Sequence, residues 1–322
     1  MTADRSRGAV CVLGGTGFVG RAIAAKLVRA GYTVRIPTRN RQRARDLLVL
    51  PGLELIQADI HEPNQLGELL RGMDAVINLV GILNESGHDG SGFQHAHVAL
   101  VEKLMTACRR TGVGRLLQMS ALKANAERGP SHYLRTKGQA EQVIRDQAGD
   151  KLQYTIFRPS VIFGPRDSFC NRFARMLRMS PILPVAQLNA RFAPVYVEDV
   201  AEAFVRALPD NRSYEQTYEL CGPEIFTLRE ILRFLCRVLD IRRAIIKLPP
   251  PLGRFQAWFA EYLLPGKLFS RDNYRSLTVA SVCRDNGFAP FDIVPKRMEP
   301  VVIDYLRRGP DELSLIRHGG RF

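Results

Sequence analysis

Short apolar runs alternate with longer segments of helical periodicity through the first half of the chain. The apolar runs lie at residues 10–13, 32–37, 54–58, 75–80, 115–119 and 154–158. The periodic segments lie at residues 18–30, 41–50, 64–71, 93–110 and 132–147. Runs of this length are typical of buried strands, and strands that alternate with helices predict a parallel sheet with helices on both faces. The predicted fold class is therefore α/β with a doubly wound parallel sheet.

The pattern changes after Gly164. Residues 165–192 are rich in arginine, methionine and proline, and a strand followed by a helix is predicted again at 194–208. The remainder is interrupted by prolines and has a mixed character. We therefore predict two domains, a sheet domain at 1–164, onto which 194–208 packs back, and a smaller mixed C-terminal lobe at 165–322.

Composition places the chain among soluble globular proteins. Hydrophobic residues make up 46% and charged residues 24% of the sequence, which excludes collagen-like and disordered chains. None of the six cysteines belongs to a CxxC pair, so they are interpreted as buried thiols in a reducing compartment. The sequence shows neither a secretory signal nor the roughly 18 consecutive apolar residues of a membrane helix. We expect a cytoplasmic protein, and peripheral association with the inner membrane stays open.

The chain is strongly basic, with 46 basic residues, 32 acidic residues and a formal net charge of +14. A basic surface attracts nucleic acid, anionic lipid or phosphorylated ligands. The arginines are dispersed and are not interleaved with aromatic residues, so no nucleic-acid partner is expected. The charge therefore leaves anionic small molecules and lipids as the partners to consider.

Two stretches of the predicted lobe have amphipathic character. Arg172, Arg175 and Arg178 have helical spacing, and we favour a solvated helix face over contact with an anionic substrate or a lipid head group. Apolar residues at 252–263 also follow helical spacing, and we favour core packing over a lid for a quinone- or isoprenoid-like ligand. Neither stretch identifies a substrate.

A glycine-rich loop follows the first predicted strand. Its glycines have GxxGxxG spacing, a variant of the dinucleotide fingerprint, and the loop stands between a strand and a helix as that fingerprint requires. The first glycine permits a tight turn, the second lets the backbone approach a pyrophosphate, and the third lets the helix pack closely on the strand. The N–H groups of the helix N-terminus then bind the phosphate. The predicted contacts are Gly14, Thr16, Gly17, Phe18, Val19 and Gly20.

The end of the second predicted strand indicates which coenzyme binds. A site for NAD(H) usually has Asp or Glu here to bind the ribose 2′-OH, whereas this chain has Arg39 and Arg41. Guanidinium groups pair with phosphate, so we predict NADP(H) in preference to NAD(H), with Thr38 and Arg21 as additional contacts. The alternative is that Arg39 is an exposed loop residue and that the site accepts either coenzyme.

Further cofactor contacts are predicted where later strands end, because ligands of open α/β sheets bind at the carboxyl ends of the strands. Asp59 and Ile60 follow the third strand and are predicted to border the adenine, with a helix N-cap as the alternative role of Asp59. Val80 and Gly81 follow the fourth strand and are predicted to turn their backbone toward the cofactor.

A candidate catalytic set follows the fifth predicted strand. Tyr133 and Lys137 stand four residues apart and so share one helix face, and Ser120 ends the strand. An adjacent ammonium lowers the pKa of a phenol, so Tyr133 is predicted to exchange a proton with a substrate carbonyl or alcohol while a nicotinamide moves hydride. Lys137 would also hold the nicotinamide ribose, and Ser120 would bind the substrate oxygen. The alternative is an ordinary pair on a surface helix.

These motifs resemble those of the short-chain dehydrogenase/reductase superfamily, in its extended or atypical branch, over nearly the whole chain. The resemblance rests on GGTGFVG, the Ser120, Tyr133 and Lys137 set, FRPSVIFGP at 157–165 and PVYVEDVA at 194–201. It implies a Rossmann fold. It also implies that Pro159 and Val161 lie beside the nicotinamide and that 194–201 returns to the first domain.

Three further segments are similar to the nucleotide-binding accessory subunits of respiratory complex I and their bacterial relatives. They are NLVGILN at 78–84, the segment from Asp167 to Phe173, and DNYRSL at 272–277. This resemblance implies tight NADP(H) binding and a structural role at the edge of a membrane complex. His97 departs from the extended branch, whose enzymes often carry Asn at that helix position. No metal site is predicted, because His88, Asp89, His95 and His97 do not share one helix face.

Two functions follow from these residues. The first is an NADP(H)-dependent oxidoreductase or epimerase-type enzyme that transfers hydride on a small or lipid-like substrate, with quinone-related compounds included. The second is a cofactor-binding structural or assembly subunit of a membrane redox complex, without catalysis. The sequence fixes neither the substrate nor the oligomeric state.

Overall fold

Strands and helices alternate through the first half of the chain, as the apolar pattern predicts. The structure is a computed structural model and describes residues 7–307 apart from 86, 88, 250 and 253–269. The strands are β1 (Ala9–Leu13), β2 (Thr33–Thr38), β3 (Leu53–Gln57), β4 (Ala75–Asn78), β5 (Arg115–Met119), β6 (Gln153–Pro159), β7 (Ile162–Phe163), β8 (Ile182–Val185), β9 (Arg191–Phe192), β10 (Val195–Tyr196), β11 (Gln216–Leu220), β12 (Phe226–Thr227) and β13 (Ala244–Lys247).

The helices agree with the predicted segments in place but not always in type. The α-helices are α1 (Phe18–Arg29), α2 (Pro63–Leu70), α3 (Ser91–Phe93), α4 (Leu100–Thr111), α5 (His132–Gln147), α6 (Cys170–Met179), α7 (Val197–Ala207), α8 (Leu228–Val238) and α9 (Arg271–Ser276). The segment predicted as a helix at 41–50 is a 3₁₀ helix at Gln42–Val49. Between α3 and α4, Gln94–Ala99 forms a π-helical turn, so the helix predicted at 93–110 is not uniform.

Seven parallel strands form the main sheet, in the order β11-β6-β5-β4-β1-β2-β3. β1 pairs with both β2 and β4, so the strand order reverses at β1. In sheets of this kind the ligand site lies beyond the carboxyl ends of the strands at that reversal. The α/β fold class with a doubly wound parallel sheet is confirmed. The edge strand β11 was not predicted.

The chain divides into two units. The first comprises Met1–Pro159, Glu198–Leu220 and Asp285–Ile293, and the second comprises Ser160–Val197, Cys221–Arg284 and Val294–Phe322. The predicted bounds of 1–164 and 194–208 stay a prediction. In the structure the first unit also contains β11 and a short 3₁₀ helix at Ala289–Phe291.

Arg115 fixes part of the returning chain to the sheet of the first unit. Its buried guanidinium donates hydrogen bonds to the carbonyl of Ala207 at 2.9 Å and to the hydroxyls of Thr155 and Ser213, each at 2.7 Å. A buried guanidinium without acceptors would be costly. These acceptors therefore make the segment that follows α7 an integral part of the first unit.

The second unit has an apolar core of its own. α6 and α8 contribute Ala174, Leu177, Ile231 and Leu235 to this core, and Val302 packs with them. α8 begins with a capping box in which Thr227 and Glu230 satisfy each other's backbone N–H groups. The apolar residues predicted to pack at 252–263 lie, from 253 onward, outside the described residues.

Two cysteines of the second unit form a disulfide, which corrects the interpretation of all six as thiols. Cys221 and Cys283 are bonded across 62 residues of chain, with their Cα atoms 6.0 Å apart. Cys11, Cys108 and Cys170 are buried and free, as predicted. The pair escaped notice because it has no spacing signal: its partners meet only once the chain has folded.

Candidate functional site

The glycine-rich loop between β1 and α1 is shaped by close backbone contacts. Gly14 has a φ of +76°, a left-handed conformation that favours glycine. The N–H of Gly17 donates to the Gly14 carbonyl at 3.0 Å and closes the turn. A Cβ atom at Gly20 would lie 2.4 Å from the Gly14 carbonyl oxygen. The first turn of α1 therefore sits directly on the end of β1, and only glycine fits at position 20.

The start of α1 can accept an anion. Gly17 is the N-cap residue, and no side chain caps the helix there. The first turn, which includes Phe18 and Val19, contains no acidic residue. The first N–H groups of a helix have no partner within the helix and carry partial positive charge. The loop, with Thr16 inside it, thus fits the diphosphate of a dinucleotide in both shape and charge.

The arginines predicted to select the coenzyme lie just past β2. Arg39 and Arg41 are exposed, and neither forms an ion pair with any described residue. Arg21 is already engaged, since it donates to the Thr16 carbonyl at 2.9 Å and pairs with Asp46. Its expected help at a 2′-phosphate therefore would require it to leave Asp46.

Asp59 and Ile60 follow β3. Asp59 is exposed, and its carboxylate accepts a hydrogen bond from the N–H of His61 at 2.9 Å. Because the N-cap of α2 is Glu62, the alternative role of Asp59 as that cap is wrong. The His61 ring stacks on that of His95, with ring centroids 4.2 Å apart.

Lys137 lies where β4 and β5 end. Its ammonium donates to the carbonyls of Val80 and Met119, both at 3.1 Å, and the side chain is buried. A Cβ atom at Gly81 would lie 3.0 Å from the same ammonium. Burial lowers the pKa of Lys137 to about 8, although the Glu141 carboxylate acts in the opposite direction. The structure thus brings Lys137 together with Val80 and Gly81.

Tyr133 lies one turn before Lys137 on α5, which Ser131 caps by accepting from the N–H of Leu134. The Tyr133 ring meets that of His97 edge to face at 5.6 Å. Burial raises the pKa of Tyr133 to about 12. The lowering predicted from the nearby ammonium is therefore wrong, because burial disfavours the charged phenolate.

Ser120 hydrogen-bonds to a residue of α5 other than its predicted partners Tyr133 and Lys137. Its hydroxyl donates to the buried Glu141 carboxylate at 2.5 Å. The same carboxylate accepts from Arg158 Nε at 2.7 Å and from Arg145 at 2.9 Å. Glu141 is a residue that sequence reasoning missed. Glu141 lies four residues after Lys137, and this spacing predicts an ion pair with Lys137. It does not predict the observed partners, which are arginines of β6 and of α5.

A family model for the NAD dependent epimerase/dehydratase family matches residues 10–221. This match covers the glycine loop, the Tyr133–Lys137 helix and the sheet that carries them. The chain belongs to the NAD dependent epimerase/dehydratase family. The resemblance noted from the sequence motifs is thereby confirmed.

The proteins that this chain resembles have names of different kinds. NADH dehydrogenase [ubiquinone] 1 alpha subcomplex subunit 9, mitochondrial, of Arabidopsis thaliana is 30% identical over 321 residues, which is 93% of this chain and 78% of that protein. Ceramide reductase of Caulobacter vibrioides is 28% identical over 259 residues, 77% of this chain and 76% of that protein. The structure of MoeE5 in complex with UDP-glucose and NAD has a TM-score of 0.72 at 19% identity, covering 94% of this chain and 99% of that one.

The two residues predicted to lie beside the nicotinamide, Pro159 and Val161, belong to different units. Pro159 is the final residue of β6 in the first unit and pairs with Leu220 of β11. Val161 lies in the second unit, where its carbonyl accepts from the N–H of Val195 at 2.9 Å. Among the described residues, no group of three metal-binding side chains occurs and no helix is long and apolar enough to cross a membrane. His88 lies outside those residues.

His97 stands at a position where the resemblance implied Asn, and the π-helical turn carries it. Its Nε2 accepts from the N–H of Ile82 at 3.2 Å, and its Nδ1 lies 2.8 Å from the Thr136 hydroxyl. Because Nε2 accepts, the ring is neutral, with its proton on Nδ1. π-turns inside α-helices occur frequently at functional sites. Here the turn connects the segment after β4 to α5 through one imidazole.

We expect His97 to make the protein acid-sensitive. Burial, and then the Lys137 charge, lower the pKa of His97 to about 2. The unfolded chain, with a His pKa near 6.5, takes up a proton as the pH falls, and the folded chain does not. The free energy of unfolding should therefore fall by about 2 kcal/mol between pH 7 and pH 5 on account of this residue.

Urea unfolding of wild type and His97→Asn at both pH values measures this effect. Asparagine does not titrate, so the variant should lose about 2 kcal/mol less than wild type over the same interval. All other titrating groups are shared and cancel in the comparison. An identical pH dependence in the two proteins would contradict the assignment of a neutral, buried His97.

Proposed function

We propose that the chain binds a nicotinamide dinucleotide on the loop at 14–20, with NADP(H) preferred over NAD(H), and uses it to transfer hydride on a small or lipid-like substrate. The proposal is supported above all by the position of Lys137, whose ammonium bridges the carbonyl ends of β4 and β5. That is the edge of the sheet at which ligands of this fold bind.

The coenzyme contacts follow from the loop and strand ends. The N–H groups of the first turn of α1 would hold the diphosphate. Arg39 and Arg41 would pair with a 2′-phosphate, because both are exposed at the end of β2 and without ion pairs in the described chain. Asp59 and Ile60 would border the adenine. Pro159 and Val161 are proposed beside the nicotinamide, by resemblance.

Tyr133 and Lys137 would carry the proton chemistry. When bound, the coenzyme supplies or accepts the hydride. Tyr133 would give a proton to a substrate carbonyl oxygen, or take one from an alcohol. Lys137 would hold the nicotinamide ribose and favour the phenolate electrostatically. Ser120 would donate to the substrate oxygen only after its hydroxyl leaves Glu141, because a hydroxyl has a single proton.

A second candidate function is that of a cofactor-binding subunit of a membrane-associated redox complex, without catalysis. It is favoured by the Arabidopsis relative, which is named as a subunit of NADH dehydrogenase. The raised pKa of Tyr133 and the engagement of Ser120 by Glu141 also fit an inactive site. In this case the protein would lie on the cytoplasmic side of the inner membrane as a peripheral protein.

Replacement of Tyr133 by phenylalanine separates the two candidates. Turnover of NADPH should fall at least about 100-fold in Tyr133→Phe, because general acid–base catalysis contributes that much. Affinity for the coenzyme should stay the same, since the phenol is proposed to act on the substrate. Assays would pair NADPH with long-chain ketones, keto-sphingolipids and a short-chain ubiquinone, and calorimetry would measure NADPH binding.

Tyr32→Phe is the matched control, since Tyr32 is half-buried in the first unit and lies before β2. It should leave turnover unchanged. Equal turnover in Tyr133→Phe and wild type would reject Tyr133 as the proton donor. Wild-type protein that binds NADPH but turns over none of these substrates would favour the second candidate.

A further inference from the structure

The second unit exposes a continuous apolar face on a small sheet. β8 and β13 pair in parallel, with Ile182 beside Ala244 and Pro184 beside Ile246. Alternate residues of a strand point to opposite faces. These four residues therefore share one face, and all four are exposed. Leu183 of β8 points the other way and is buried in the core.

A further large apolar residue is exposed close to β8 in the sequence. Met179, the last residue of α6, is 79% exposed, while Ile182 and Ile246 are 50% and 47% exposed. Single exposed apolar residues are common on soluble proteins and need no explanation. A contiguous set of large ones is not, and marks a surface that meets an apolar partner.

Exposed cations adjoin this face along the chain. Arg175, Arg178, Arg242 and Lys247 are exposed on α6 and next to or within β13. Arg243 joins the two elements, since its Nε donates to the Leu177 carbonyl at 2.7 Å. Neither 168–197 nor 241–252 contains any Asp or Glu, and the acids that flank these ranges in sequence are Asp167, Glu198 and Asp240.

We propose that this surface, formed by the outer face of β8 and β13 with Met179 and the adjoining cations, docks on an anionic phospholipid bilayer. The apolar side chains would enter the boundary between head groups and acyl chains, and the arginines would meet lipid phosphates. A nucleic acid would use the cations but gain little from the apolar centre. An anionic bilayer fits both parts of the surface, because its head groups are negatively charged and its acyl chains are apolar.

The structure changes how the arginines of α6 are to be interpreted. The sequence favoured a solvated helix face, with a lipid-binding amphipathic helix as the alternative. The apolar side of α6 is not available to a membrane, because Leu177 is buried and Phe173 and Met176 pack against the core. The exposed apolar partner of the arginines is instead the neighbouring sheet. The surface contains none of the residues proposed for the coenzyme, so the inference does not rest on coenzyme binding.

Flotation with lipid vesicles tests the docking surface. The full chain should float with vesicles of phosphatidylcholine mixed with phosphatidylglycerol, and much less with phosphatidylcholine alone. The double variant Arg178→Gln/Arg242→Gln should bind the anionic vesicles about 25-fold more weakly, at about fivefold for each charge. Ile182→Ser/Ile246→Ser should also weaken binding, and the effect should persist in high salt, which screens charges but not apolar contacts.

Arg109→Gln/Arg110→Gln is the matched control. Both residues are exposed at the end of α4 in the first unit, and the variant has the same net charge as the first double variant. It should bind like wild type. Equal weakening in the two arginine variants would overturn the proposal, because net charge alone would then explain binding. The proposal would also be overturned if the wild-type protein did not float with anionic vesicles. If the isoleucine variant does not fold, the two arginine variants still decide the matter.

Discussion

Replacing Glu141 by glutamine is expected to lower the free energy of unfolding by about 3 kcal/mol. The Glu141 carboxylate is buried and accepts from Ser120, Arg145 and Arg158 at once. The amide keeps the volume of the side chain but removes its charge and offers only one oxygen. At least one guanidinium is then left in a partly buried position without its counter-ion, and removal of one partner from a buried pair typically costs about 3–5 kcal/mol.

Urea unfolding at neutral pH measures this loss. Asp146→Asn is the matched control, because Asp146 lies on the same helix, is exposed and has no ion pair in the described chain. We expect its effect to be within about 0.5 kcal/mol of zero. If Glu141→Gln were as stable as this control, the carboxylate would not hold the end of β5, β6 and α5 together.

Replacing Gly20 by alanine is expected to reduce affinity for NADPH about 100-fold or more. The new Cβ atom would lie 2.4 Å from the Gly14 carbonyl oxygen and 2.5 Å from the Gly15 Cα. Both neighbours are backbone, so α1 must move away from β1. In catalysis a misplacement of about 1 Å can cost about 100-fold in rate, and we expect a loss of similar size in affinity for the coenzyme.

Calorimetric titration with NADPH and with NADH tests both the loop and the coenzyme preference. Wild type should bind NADPH more tightly than NADH, and Gly20→Ala should lose affinity for both. Gly67→Ala is the matched control: Gly67 lies within α2, and a Cβ atom there meets nothing within 4 Å. It should bind as wild type does and be slightly more stable. Unchanged NADPH affinity in Gly20→Ala would contradict the proposal that this loop binds the diphosphate.

The sheet was predictable because its central strands are short, apolar and fully buried. β5, for example, is buried at all five positions, including Arg115 and Gln118, whose polar groups find partners inside. β11 was missed because QTYEL is polar and only its last residue is buried. An edge strand of this kind has no apolar run, so it is specified by pairing with β6 rather than by its own sequence.

The candidate site was predictable to the extent that it depends on local spacing. Within the glycine loop, and within the Tyr133–Lys137 pair, the residues have a fixed spacing. The local backbone conformation converts that spacing directly into geometry. Glu141 and the Cys221–Cys283 disulfide depend on partners from distant segments. The π-turn that carries His97 was also missed, since the segment at 93–110 was predicted as one continuous helix.

The hydrogen bonds of Arg115 have a practical consequence for dividing the protein into fragments. Truncation after residue 159 would remove the Ala207 and Ser213 acceptors and leave a buried cation with unsatisfied donors. It would also uncover the β6 edge that β11 covers, and bare strand edges promote aggregation. A minimal version of the first unit therefore has to graft 198–220 back through a linker, since a cut at the end of the sixth strand does not produce a self-contained piece.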